Sequence, residues 1–181
     1  MRSHVCSSRT RTGHSMRGPE MEPPQGAEQP SLIVSRLLNA PCQAVFAAWT
    51  TREQIQRWMC PEGATVAVAE LDVRVGGAFR IDMLVNGVQT AHTGVYREIR
   101  PPHRLVFTWV STHTHFRATL VAVDLRPRGD KTELTITQTL LPDETSRERH
   151  VWGWTRLLDH LGTYLQTRYE QDRDAWTSDR G

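Results

Sequence analysis

The stretch HVWGWTRLLDHLGTYL, residues 150–165, sets Val151, Trp154, Leu158, Leu161 and Leu165 at spacings of three and four, the interval that lines one face of an α-helix. Leu157 and Tyr164 broaden that face beyond a coiled-coil seam, so the helix is expected to lie across a sheet. Pro142, Asp143 and a Thr145/Glu148 capping-box pair mark its start. From Glu170 onward the chain turns polar, and residues 170–181 read as a tail.

Upstream the period changes to two. Strands are expected at residues 65–71, 79–85, 93–99, 105–110, 116–125 and 134–140. Turn chemistry separates them at Gly76-Gly77, Asn86-Gly87, Pro101-Pro102 and Gly129-Asp130, with Asn86-Gly87 the strongest hairpin signal. Strands joined this closely pair antiparallel. Further upstream, Leu32, Val34, Leu37 and Leu38 make a first strand ended by Asn39, Ala40 and Pro41. Val45, Ala48 and Trp49 then recur at helical spacing. A second short helix follows, with Thr51/Gln54 as its capping box and Ile55, Trp58 and Met59 as its stripe, before Pro61 stops it.

The fold class is therefore α+β: a curved antiparallel sheet of about seven strands, in the order strand, two helices, six strands, helix, gripping the C-terminal helix. A sheet curved around one helix can enclose an apolar cavity at one end.

With 181 residues and 38% apolar content, the chain supports one core, assigned here to residues 31–169. Residues 1–30 hold Arg2, Arg9, Arg11 and Arg17 among Ser, Gly and Pro, with too few apolar groups to offset ordering, and read as a disordered tail. Met16 and Met21 offer later starts, and the acid-free beginning also resembles a transit peptide. The 22 basic and 20 acidic residues are interspersed and give a net charge of +2, which argues against nucleic acid as a partner. Among the basic residues only Lys131 is lysine, as a GC-rich genome would produce. Cys6, Cys42 and Cys60 form neither a disulfide framework nor a zinc motif, so a reducing, cytoplasmic location is expected. No apolar run is long enough for a membrane span.

Four segments resemble START-like (SRPBCC) helix-grip domains related to the activator of the heat-shock-chaperone ATPase. PCQAVFAAWTTREQIQRWM, residues 41–59, resembles the opening helices, DVRVGGAF, residues 72–79, the glycine-marked strand start, and EIRPPHRLVFTW, residues 98–109, the central hairpin. The stretch at 150–165 resembles the closing helix. The resemblance spans about residues 32–169 and implies a ligand-binding or carrier scaffold without an agreed catalytic set. The co-chaperone activators carry an additional N-terminal domain that residues 1–30 cannot supply, which weakens a chaperone-activator role.

For a cavity wall the aromatic candidates are Trp49, Trp58, Phe79, Trp109 and Trp154, and the aliphatic ones Ile81, Met83 and Leu158. Each serves equally as plain core, and Trp58, near the end of its helix, is placed to guard an entrance. Asp72 and Arg74 share a strand face and either contact a polar ligand head or brace neighbouring strands. His150 is a candidate general base or a helix-surface residue beside Glu148. Glu98 and Arg104 are expected to pair across the Pro101-Pro102 turn. Gly76-Gly77 reads as a tight turn or bulge, since it lacks the spacing of a phosphate loop. His113 and His115 could chelate on an extended chain, but a turn without metal is expected. No catalytic residue, metal or cofactor is assigned. The leading expectation is a binder of a small hydrophobic or amphipathic molecule. The rivals are a cyclase- or hydrolase-like enzyme using Asp72, Arg74 or His150, and a protein-interaction module with a filled interior.

Overall fold

The computed structural model describes residues 29–60 and 63–178, so the stretch read as an N-terminal tail lies, but for its last two residues, outside the described residues. The elements are β1 (Leu32–Leu38), α1 (Cys42–Thr50), α2 (Arg52–Trp58), β2 (Thr65–Leu71), β3 (Ala78–Val85), β4 (Val88–Arg100), β5 (Arg104–Trp109), β6 (Thr119–Arg128), β7 (Lys131–Thr139) and α3 (Glu144–Ser178), with a single 3-10 turn at Thr112–Thr114. All seven strands join one antiparallel sheet in the order β1-β7-β6-β5-β4-β3-β2. The expected fold class is the one observed.

Alternation builds the core. Leu105, Phe107 and Trp109 of β5, Val121, Val123 and Leu125 of β6, and Leu134 and Ile136 of β7 bury one sheet face. Trp154, Leu157, Leu158, Leu161 and Leu165 of α3 cover it. The other face carries Ser35 bonded to Thr135 at 3.0 Å and Arg104 bridging Glu98 at 3.3 Å and Asp124 at 2.5 Å, with Ile33 and Leu37 exposed on β1. The expected Glu98–Arg104 pair is thus present, with Asp124 as a second partner.

The hairpin at Asn86-Gly87 has both residues at positive φ, 49° and 78°, as a two-residue turn with right-handed strands requires. It pairs Val85 with Val88 and carries that register back to Ile81 opposite His92. Gly76, at φ 83°, and Gly77 form the expected turn. A Cβ on Gly77 would collide with the Asp72 carbonyl.

Several local expectations are corrected. Thr51 caps α2 in backbone geometry but makes no side-chain cap bond. At α3 the cap is Asp143, whose Oδ1 accepts from the Ser146 amide at 2.7 Å, while Thr145 lies inside the first turn. The sixth strand does not begin at Phe116: Ser111 and Thr114 exchange bonds around the 3-10 turn, His115 and Phe116 take positive φ, and β6 starts at Thr119. The last helix runs on through Ser178 past the expected stop at Tyr169, because Glu, Gln, Arg and Ala sustain a helix without an apolar stripe.

Gly94 faces Phe79 across the β3–β4 pair. A Cβ there would meet the Thr108 carbonyl and lie 2.5 Å from Phe79 Cε1. Gly94→Ala should therefore cost about 3 kcal/mol, measured as a lower urea midpoint with an unchanged slope.

Candidate functional site

The interior between sheet and helices is a cluster of rings. Trp49 of α1 stands 6.3 Å from Phe107 and 6.2 Å from Trp154, and Trp154 stands 5.2 Å from Trp109. Phe79 lies edge-on to Phe107 at 5.5 Å and beside Tyr96 at 5.5 Å. Such offset and edge contacts are the favoured aromatic geometries.

Within the cluster lies a void of about 10 Å³, room for about one water. Its walls come from α1, the α2 region and β2 to β5. Of the eight apolar residues singled out from sequence, Trp49, Phe79, Ile81 and Trp109 line it. Met83, Trp154 and Leu158 are buried in the same core away from it. Trp58 is fully buried behind Trp49 and donates its Nε1 hydrogen to the Ala48 carbonyl at 2.8 Å, so it holds α1 and α2 together and guards no entrance.

The polar candidates lie elsewhere. Arg74 binds Asp72 through Nε at 3.1 Å and Nη2 at 2.8 Å, with side chains 69% and 50% exposed, so the pair decorates the β2–β3 turn. His150 is buried and its Nδ1–H donates to the Ser146 carbonyl at 2.7 Å, one turn back on its own helix. None of the three lines the void.

Residues missed in the sequence complete the wall: Ile55, Met59, Leu71, Tyr96, Leu105 and Phe107. Phe107 and Leu105 were within reach, since they alternate with Trp109 on β5. His92 was missed as well. It stacks on Trp109 at 4.9 Å, is 8% exposed, and its Nδ1 has no partner in the protein. Burial pushes it down to about 4, opposed by backbone hydrogen bonds, with His113 and His150 adding repulsion. Both of those are lowered too, His113 by burial and by Arg149, His150 by burial. Burial and the Asp72 carboxylate push the Tyr96 phenol up to about 12. His113 Nδ1 meets Arg149 at 3.4 Å while His115 meets Asp143 at 3.6 Å, so the two histidines diverge at a turn. Among the described residues no group of three or more His, Cys, Asp or Glu is placed to hold a metal. Among them no helix is long and apolar enough to cross a membrane.

An antiparallel sheet gripping one long helix over an aromatic interior defines a helix-grip domain of the START-like type. The family model for Activator of Hsp90 ATPase homolog 1-like protein matches residues 39–166, and the chain belongs to that family. A protein of Chromobacterium violaceum is similar at 28% identity, with a TM-score of 0.67 over 74% of this chain and 95% of its own. CalU16 from Micromonospora echinospora is 27% identical, with a TM-score of 0.59 over 82% and 86%. The AHSA1-like protein from Aeromonas hydrophila shares the fold at 21% identity, with a TM-score of 0.63 over 76% and 94%. No curated protein matches the chain.

Because folding holds His92 neutral while an unfolded chain protonates near 6.5, the protein should lose stability as pH falls from 6.5 to about 4. The His92 share is about 3 kcal/mol. Above pH 6.5 it vanishes. His92→Phe, which keeps the stacking on Trp109, should flatten that part of the pH profile of urea midpoints.

Proposed function

We propose that this protein binds a small apolar or amphipathic molecule in the interior between the sheet and its helices, as a carrier or receptor. The observation that carries this reading is the void walled by rings at the α1–α2 end of the core. Binding pockets are apolar recesses with few polar groups. As it stands the void holds no more than a water, so a ligand has to displace part of the wall. The wall best able to give is α2, which has seven residues and buries Ile55 and Trp58, followed by the flexible side chain of Met59.

Catalysis at this place has little to work with. Tyr96 is the one ionisable side chain lining the void, and its phenol keeps its proton up to about pH 12. The free, buried Cys42 and Cys60 suit a reducing compartment such as the cytoplasm.

A second reading, a protein-docking module, is favoured by the fullness of the interior and by Trp152. That indole is 60% exposed on α3, with the Arg156 guanidinium 5.7 Å from its ring centre.

Native mass spectrometry of protein purified from its own host should show a small apolar adduct that denaturation releases. The emptied protein should take up N-phenyl-1-naphthylamine. Leu71→Trp, which fills the half-buried end of the void, should weaken that uptake at least about tenfold without unfolding the domain. No adduct and no uptake would remove the ligand reading in favour of docking through Trp152.

A further inference from the structure

We propose that the ligand is a neutral planar ring carrying a carbonyl-type oxygen, and that this oxygen accepts the indole N–H of Trp49. The proposal rests on the ligand-binding reading and adds the chemical class and the anchor.

Trp49 lines the void and is 3% exposed, and its Nε1 has no acceptor in the protein. Its neighbours differ. Trp58 gives its N–H to the Ala48 carbonyl at 2.8 Å, and Trp154 gives its N–H to Gln138 Oε1 at 2.7 Å. An indole nitrogen only donates, and a buried donor left unmade is costly, so the missing group is an acceptor. Aliphatic cargo would leave this N–H unmade.

The surrounding chemistry fixes the rest. Trp49, Phe79, Phe107 and Trp109 line the void, with Phe107 edge-on to Phe79 and tilted against Trp49, and a lining this rich in rings favours a flat aromatic guest. No Arg or Lys lines it. The nearby imidazole of His92 is neutral at physiological pH, so a carboxylate would enter without a counter-charge and lose its hydration uncompensated. A ketone or quinone oxygen loses far less.

The test uses the whole chain and two matched probes, 1-indanone and indane, which differ by the carbonyl. Each competes against bound N-phenyl-1-naphthylamine. The ratio of indanone to indane affinity should fall about fivefold in Trp49→Phe, the change expected for one neutral hydrogen bond. It should not change in Trp58→Phe, whose N–H is already bonded inside the protein. In the unaltered protein, the Trp49 indole proton should move downfield in NMR with indanone and not with indane, a readout independent of whether any variant folds. An unchanged ratio with an unmoved proton would overturn the carbonyl anchor while leaving ligand binding intact. Failure of both probes to displace bound dye would overturn the planar-ring class, whereas failure to take up the dye at all would remove the ligand reading. Indane-2-carboxylate binding as tightly as indanone would overturn the neutral class.

Discussion

The bond from the Trp154 indole to Gln138 ties the helix to the sheet, and the rest of the core is arranged around it. Gln138 is fully buried on β7, and each end of its amide is used: Oε1 accepts from Trp154 at 2.7 Å and Nε2 donates to Thr119 at 2.8 Å. Thr119 passes its own hydrogen to the Trp109 carbonyl at 2.9 Å. One polar chain therefore joins α3, β7, β6 and β5. Any slide of the helix would leave the buried Trp154 indole N–H and Gln138 Oε1 unmade, each at about 1–3 kcal/mol. Apolar packing alone tolerates such slides, so the polar chain is what makes the helix position unique.

That anchoring also explains what the sequence could and could not tell. The elements follow from periodicity, because a two-fold and a 3.6-fold pattern are local properties. Even His92 was readable in principle: a two-residue turn at Asn86-Gly87 pairs Val85 with Val88, and counting outward sets His92 opposite Ile81, on the buried face. What failed was decided by local side-chain bonds that periodicity does not carry, or by neighbours far away in the chain. Residues 116–118 read as the start of a strand, yet Ser111 and Thr114 satisfy one another across a 3-10 turn and β6 begins only at Thr119. At α3 both Asp143 and Thr145 are capping residue types, and the Ser146 amide is taken by Asp143. Which rings line the void depends on the closure of α2 over β2, and no periodicity encodes that contact.

Asp72 and Arg74 show how a pattern fit for function can serve structure. Their alternation is that of a ligand-facing pair, but the chain leaves the strand after Leu71 and the two charges close on each other at the turn. Gly77 lacks a side chain because Asp72 occupies that space. An exposed ion pair of this kind contributes little to stability.

The distribution of constraint fixes where the molecule can open. Separating strands would break ladder bonds along their whole length, and β1, at the sheet edge, is held by β7 on one side and by Arg36 to Asp159 of α3 at 2.5 Å. Lifting α3 would strand the Trp154 indole N–H and Gln138 Oε1. The outer charges around Arg104 reinforce the sheet register on the face away from the rings. By contrast α2 has a backbone-only cap, buries two side chains within its own span, and is held from α3 by His160 Nδ1 at 3.0 Å from the Trp58 carbonyl and 2.8 Å from that of Cys60. Of the three α-helices among the described residues it is the shortest. On the ligand-binding proposal, a guest would pass beside Ile55 and Met59, and its size would be limited by how far α2 can swing while His160 keeps its hold.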